Sequence, residues 1–261
     1  PANKIPATDT YILGPGDKLD VRVFGSENIR AKEQITRDGT FNLPKIGPIY
    51  LSGLTYEEAK RAIDDKVKRQ ISGAETSMNI VELRSISVFL LGQAYLPGSY
   101  TVSALSTVTN ALFVAGGVNE QGSLREIQIK RNGKILAKYD FYNFLLKGDI
   151  GSDIKLQDGD VIFIPFIQNT VTLGGFFKKP YLYEFIQGES IKDIINMAGG
   201  FDRRVSANAT IEIDSFNFDD NKRSLKRVPI NSLDLQSPLS NGDRININSS
   251  SSSISQSMTI S

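Results

Sequence analysis

Apolar and polar residues follow one of two periods along most of this chain, and the period changes at turn signals. Leu19, Val21 and Val23 alternate with Lys18, Asp20 and Arg22, which predicts a half-buried strand behind the turn Tyr11-Ile-Leu-Gly-Pro-Gly-Asp17. Asp38-Gly39 predicts a two-residue hairpin joining residues 34–37 to 40–43, because glycine accepts positive φ cheaply. Thr55-Tyr-Glu-Glu58 reads as a capping box, in which Glu58 reaches back to the N-cap. The helix behind it places Tyr56, Ala59, Ile63, Val67 and Ile71 on one stripe, with Glu57, Lys60, Arg61, Asp64, Lys68 and Arg69 on the wet side. Ser72-Gly73 stops it, and residues 78–83 suit a closing strand. The polar residues 1–10 read as a loosely held lead-in.

Beyond this point the pattern repeats. Val88, Pro97 and Ala115-Gly-Gly117 fall on Val171, Pro180 and Ala198-Gly-Gly200 at a constant offset of 83, which also carries Gly159-Asp160 onto Gly242-Asp243. Such periodicity marks a modular fold. Each copy opens with a strand ending in glycine (Val88–Leu91; Val171–Leu173). A second strand is led by tyrosine (Tyr100–Val102; Tyr181–Tyr183). A short helix is then capped by Thr107 or Ser190 and stopped by Gly-Gly. Val108, Ala111, Leu112 and Ala115 face inward in the first copy, and Ile191, Ile194, Ile195 and Ala198 in the second.

Asn132-Gly133 predicts a hairpin between Ile127–Arg131 and Lys134–Tyr139, whereas the second copy carries Ile211–Asp214 and a longer polar excursion, Asn217–Ser224. Both copies end on a Gly-Asp turn and a strand, Val161–Ile164 or Arg244–Ile247. Phe141, Tyr142, Phe144 and Leu145 are expected to pack in the core. A sheet curled around one helix in each repeat gives an α+β class, modular and elongated. The expected divisions are 1–87, 88–167, 171–248 and a serine-rich linker at 249–261. There Met258-Thr-Ile260 resembles the start of another repeat, as if a longer protein had been truncated.

Composition narrows the chemistry. The 261 residues are 40% hydrophobic and 23% charged, with a net charge of +1, so no global field steers the chain to nucleic acid or to an acidic membrane. There is no cysteine, which removes disulfides, thiol nucleophiles and thiolate metal sites. There is no histidine, which removes the commonest general base and transition-metal ligand. No apolar run is long enough to span a bilayer as a helix. The first residue is Pro1 rather than methionine, as expected of a processed or truncated chain.

The stretch Tyr11-Ile-Leu-Gly-Pro-Gly-Asp-Lys-Leu-Asp-Val21 resembles the N-terminal domain of the bacterial outer-membrane polysaccharide export proteins. So do Asp38-Gly-Thr-Phe-Asn-Leu-Pro-Lys-Ile-Gly47 and Gly53-Leu-Thr55, which leads into a helix with Ala59. The repeats resemble the soluble-ligand-binding β-grasp domains (SLBB) that follow in that family. Tyr139-Asp-Phe-Tyr-Asn-Phe-Leu-Leu-Lys-Gly148 and Asp158-Gly-Asp160 are especially similar to capsule export proteins of systems driven by an ABC transporter.

The resemblance implies a small mixed export domain at 1–87 followed by β-grasp repeats at 88–167 and 171–248. It further implies a homo-oligomeric ring in the periplasm, associated with the outer membrane of a Gram-negative bacterium. The ring would pass a capsular or exopolysaccharide chain and dock onto an inner-membrane co-polymerase or adaptor. Family members are often anchored by an acylated N-terminal cysteine, and some cross the outer membrane with a C-terminal helix. No residue of this chain carries either feature over, so any contact with the outer membrane would run through other parts of the protein.

No catalytic residue, metal ligand or cofactor is expected, and no enzyme. A glycosidase needs two carboxylates facing each other across a bond, whereas Asp160 and Asp243 precede strands in turns that their own side chains can cap. The candidate polysaccharide-contact loop is Phe176, Phe177, Lys178 and Lys179, and a second basic cluster is formed by Lys222, Arg223, Lys226 and Arg227. Rings beside cations suit an acidic sugar polymer. They also suit the alternative, a periplasmic β-grasp module for a small ligand or single-stranded nucleic acid, although no nucleic acid is expected.

Overall fold

A computed structural model describes residues 11–217 and 221–248. The expected lead-in at 1–10, the tip of the polar excursion at 218–220 and the linker with its further repeat at 249–261 lie outside the described residues.

The first part contains β1 (Lys18–Phe24), β2 (Ile29–Gln34), β3 (Thr40–Leu43), β4 (Gly47–Tyr50), α1 (Tyr56–Gln70) and β5 (Glu75–Glu82). β1 is the centre of an antiparallel sheet of order β2-β1-β5, and β3 pairs with β4 alone. The alternation in β1 works as read, with Leu19, Val21 and Val23 buried. Its wet face is less wet than expected. Asp20 is buried too, covered by Arg30, whose Nε and Nη2 donate to its carboxylate at 2.9 and 2.8 Å, and by Arg22. The capping box forms: Glu58 N–H donates to Thr55 Oγ1, and Thr55 N–H to Glu58 Oε2. Ala59, Ile63 and Val67 are buried beneath α1, with Tyr56 and Ile71 at the margin.

Asp38-Gly39 departs from the expectation. It makes a turn, with Gly39 N–H donating to Thr36 O, but β2 and β3 on either side pair with β1 and β4 respectively, so it links two sheets and is no hairpin. Thr36 and Thr40 close the turn on each other, and the Gly39 carbonyl then accepts from Leu51 and Ser52, which draws β3 toward β4.

The repeats add β6 (Ser85–Gly92), β7 (Gly98–Ser103), α2 (Val108–Val114), β8 (Ile127–Arg131), β9 (Lys134–Tyr139), α3 (Phe141–Lys147) and β10 (Val161–Ile164). Their second copies are β11 (Thr170–Gly175), β12 (Leu182–Glu184), α4 (Ile191–Met197), β13 (Thr210–Asn217), β14 (Lys222–Pro229), a 3₁₀ turn at Leu233–Gln236 and β15 (Asp243–Ile247). The two five-stranded sheets have the orders β7-β6-β10-β8-β9 and β12-β11-β15-β13-β14. Element for element these are one topology written twice, with β11 and β15 running parallel. The class is α+β, with an export-type domain followed by β-grasp-like repeats.

The inward residues read from both short helices are all buried. Gly116 and Gly117, like Gly199 and Gly200, take the positive φ that ends each helix. The Asn132-Gly133 hairpin forms with φ of 51° and 76°.

Two expectations change. Residues 141–147 form a helix of their own, capped by the Asp140 carboxylate on Tyr142 N–H. It buries Phe141 and leaves Leu145 half exposed, because a short helix on a sheet can cover only one side of itself. The polar excursion of the second copy is mostly strand: β13 and β14 pair in register from Thr210↔Pro229 to Asn217↔Lys222.

By compactness the chain divides into two units. One holds the chain up to Phe89 with Gly98–Val114 and Ile154–Asp160; the other holds Leu90–Pro97, Ala115–Asp153 and the chain from Val161 on. The division runs through the first repeat.

Candidate functional site

Three features of the second unit bear on function. The first is the loop after β11. Gly175 has a φ of +80°, and a Cβ there would meet the Ile247 carbonyl at 2.0 Å, so only glycine lets the chain turn at this point. The same carbonyl accepts from Phe176 N–H at 3.0 Å. Phe177 then points inward. It is 3% exposed, stacks at a tilt on Phe201 and belongs to the hydrophobic core with Val171, Ile194 and Ile245. Its ring face is therefore closed to any polymer, which removes it from the expected contact loop. Phe176 is half-buried, and Arg204 lies over its ring at 4.6 Å from the centroid. Lys178 and Lys179 are exposed. The loop thus presents Phe176, Lys178, Lys179 and Arg204, with Phe177 as its anchor. Sequence spacing missed Arg204, which Asp202 orients at 2.7 Å.

The second feature is the hairpin β13–β14 and the cleft beside it. The basic cluster divides by face. Arg227 opposes Glu212 and donates to it at 2.8 Å, and Arg223 donates through Nε to Asp214 at 2.6 Å. The Arg223 hydrogen bonds hold the Asp214 carboxyl below the usual carboxylate range. On the opposite face Ile211↔Val228, Ile213↔Lys226 and Ser215↔Ser224 continue the core side of the sheet beyond the core. Beside them lies an open cleft of about 910 Å³, lined also by Arg227, Ile191, Asp234, Asn241 and Asp243.

The third feature is a buried polar joint between the repeats. Glu184, in β12 of the second copy, is 4% exposed. Ser123 Oγ donates to its Oε1 at 2.5 Å and Leu124 N–H to its Oε2 at 2.7 Å, while its own N–H reaches Tyr142 Oη at 3.1 Å. Arg125, also buried, donates to Asp140 at 2.9 Å and to Glu189 at 2.5 Å, and lies 5.1 Å from the Tyr142 ring centroid. Burial pushes the Glu184 carboxyl above its ordinary range, against the pull of the Ser123 and Leu124 bonds. Desolvation opposes the charge of Arg125, and Glu189 and Asp140 more than offset it. One signal could have found the joint: Glu184 sits between Tyr183 and Phe185, both buried, and a charge flanked that way needs a partner.

The Gly-Asp turns behave as read. Gln157 N–H donates to Asp160 at 2.7 Å and Ser240 N–H to Asp243 at 2.9 Å, and Gly14 N–H does the same for Asp17 at 2.8 Å in the first part. Among the described residues no group of three or more His, Cys, Asp or Glu could hold a metal, and no helix is long and apolar enough to cross a membrane.

Comparison with known proteins agrees with this architecture. Residues 5–81 match the family model described as polysaccharide biosynthesis/export protein, and residues 88–137 and 170–211 match the SLBB domain. The polysialic acid transport protein KpsD of Escherichia coli is 30% identical over 177 residues, covering 67% of this chain and 32% of that protein. The EPS I polysaccharide export outer membrane protein EpsA of Ralstonia nicotianae is 25% identical over 157 residues, 59% of this chain and 40% of that protein. The chain therefore spans only a third to two fifths of the length of these relatives. With an export domain at its start and SLBB matches in both repeats, this chain belongs to the polysaccharide export protein family.

Proposed function

We propose that this chain is the periplasmic portion of a conduit that exports a capsular or exopolysaccharide, associated with the outer membrane of a Gram-negative bacterium. The observation that carries the reading is the domain order: an export domain followed by two SLBB-type repeats, in a chain similar over 177 residues to a polysialic acid transport protein. The working divisions are 1–87, 88–167 and 171–248. Copies assemble head to tail into a ring, since a heterologous interface with the right rotation closes on itself, and the ring docks onto an inner-membrane co-polymerase or adaptor. The Arg125–Glu184 joint fixes the angle between the repeats, so that neighbouring copies meet in one geometry.

A conduit does not hold its cargo tightly, because a polymer bound at many sites cannot advance. Weak, repeated contacts suit it. The loop of Phe176, Lys178 and Lys179 is a candidate for them, offering a half-buried ring and two exposed cations to an acidic sugar chain. The chemistry of synthesis belongs elsewhere, and this chain has no catalytic role. The nucleic-acid alternative loses support from the hairpin, where Arg223 and Arg227 are already committed to Asp214 and Glu212.

The test is removal of the full-length protein from its own bacterium, with surface and periplasmic polysaccharide measured separately. Export function predicts that polymer is still made but is lost from the surface. Unchanged surface polysaccharide contradicts it.

A further inference from the structure

We propose that the surface of the second repeat built from Ser206, Ala207 and Leu233 is the docking site for a third β-grasp repeat of the full-length protein. It would clasp a carboxylate of that repeat as Ser123 and Leu124 clasp Glu184. The export reading is not needed for this, since the repeats alone carry it.

The first repeat supplies the pattern. Ser123 Oγ accepts from Arg125 N–H at 3.2 Å and from Glu126 N–H at 2.8 Å, and donates to one Glu184 oxygen, while Leu124 N–H takes the other. Tyr142, on the helix that follows β9, packs against the core of the second repeat. A hydroxyl, the next main-chain N–H and one ring thus hold a repeat to its successor. The two donors converge on one carboxylate, which makes both bonds strong.

The same turn recurs at the offset of 83. Asn119 N–H donates to Gln93 O and Gly122 N–H to Asn119 O, both at 3.0 Å; Asp202 N–H donates to Phe176 O at 2.9 Å and Val205 N–H to Asp202 O at 3.1 Å. Ser206 follows as Ser123 does, and its Oγ accepts from Asn208 N–H at 3.4 Å. Here the pattern stops. The Ser206 hydroxyl proton and the Ala207 N–H have no acceptor among the described residues, and both residues are exposed. Where α3 follows β9, the 3₁₀ turn at Leu233–Gln236 follows β14, and Leu233, at 86%, is the most exposed large hydrophobic side chain described. Asn231, two residues before it, donates through Nδ2 to the Ala207 carbonyl at 3.4 Å, as Phe141 N–H donates to that of Leu124. A lone exposed leucine means little. One placed where the first repeat carries its docking helix, beside the same two donors, marks the same contact.

The fitting partner is a carboxylate set among apolar residues, as Glu184 is set between Tyr183 and Phe185. A neighbouring copy does not supply it from either repeat: Thr101 stands at the place of Glu184 in the first, and Glu184 itself is already held by Ser123 and Leu124. A further repeat does. In sequence Met258-Thr-Ile260, outside the described residues, resembles the opening Val171-Thr-Leu173, and the match to the polysialic acid transport protein covers only 32% of that protein, whose length has room for more repeats. One part is not copied. Asn208 stands at the place of Arg125, so no cation reinforces the second clasp.

Amide hydrogen exchange on the purified full-length protein, free of polysaccharide and diluted until it is monomeric, tests this. Residues 206–209 should be protected, as residues 123–126 are. Leu233→Ser and Ser206→Ala should each speed exchange at 206–209 by about tenfold or more and leave 123–126 unchanged. Fast exchange at 206–209 in the unaltered protein overturns the docking site, and so does protection that neither substitution reduces. Protection present only at concentrations where copies associate overturns it in favour of a second copy. Protection that appears only when a sialic acid tetrasaccharide is added overturns it in favour of a sugar subsite. None of these results bears on export itself, which the polysaccharide-localisation assay decides separately.

Discussion

Asp17 and Arg84, 67 residues apart, are joined twice: the Arg84 main-chain N–H donates to one carboxylate oxygen at 2.7 Å, and its guanidinium to the other at 2.6 Å. Asp17 follows the opening turn of the export domain and Arg84 follows β5, so this pair ties the two ends of that domain together. Tyr11 completes it by donating to Asp17 at 2.8 Å, and burial with the nearby Asp17 charge holds its phenol well above the ordinary range. Asp17→Ala removes the acceptor of four hydrogen bonds and leaves the Arg84 guanidinium without its carboxylate. It should cost about 3–5 kcal/mol, read as a fall in the urea midpoint of the export domain. A loss below about 1 kcal/mol would show that the pair does not close the domain.

Gly92 and Gly175 hold equivalent places in the repeats, at φ of +75° and +80°, and an added Cβ would lie 2.2 Å from the Ile164 carbonyl or 2.0 Å from that of Ile247. Alanine at either should destabilise by more than about 2 kcal/mol. Gly133, at φ +76° with nothing near its missing Cβ, should lose only about 1 kcal/mol. Thermal or urea unfolding of the three variants gives the order.

Phe176 and Phe177 should separate cleanly. Phe177→Ala empties a core position and should cost about 3–5 kcal/mol. Phe176→Ala loses a half-buried ring under Arg204 and should cost much less, while lowering affinity for an acidic polysaccharide. A denaturation series paired with a binding titration at two salt concentrations checks both effects.

Glu184 gives the joint a pH dependence with a defined sign. Its folded-state pKa is raised by burial, so between the unfolded carboxylate range and the raised value the folded state binds more protons than the unfolded one. Stability attributable to this group therefore rises as pH falls through that window. Measured against Glu184→Gln, which cannot titrate, the wild type should gain stability from pH 7 toward pH 4.5. A difference that is flat or falls would mean that the joint does not burden the carboxylate as described.

Local structure was legible in the sequence wherever it depends on neighbours along the chain. The capping box at Thr55, the Ser190 cap, the Asn132-Gly133 turn and the Gly-Asp turns are all short-range devices, and each formed as read. The repeat was legible because two copies of one topology need the same glycines in the same places. What escaped depends on contacts between residues far apart in the chain. Asp38-Gly39 carries a hairpin signal, yet partner choice by β2 and β3 is a property of whole sheets. Phe176 and Phe177 follow a glycine at positive φ, which breaks the alternation that would have told one face from the other. Arg125 finds Glu189, and the Glu184 carboxylate finds Ser123 and Leu124, across about sixty residues, and neither charge announces its partners.

The central claim is assembly around an axis, and the mass of the full-length protein in mild detergent tests it most directly, by light scattering combined with particle imaging. The account predicts a closed ring of several copies with an axial opening. A monomer under all conditions, with and without the inner-membrane partner, would contradict it.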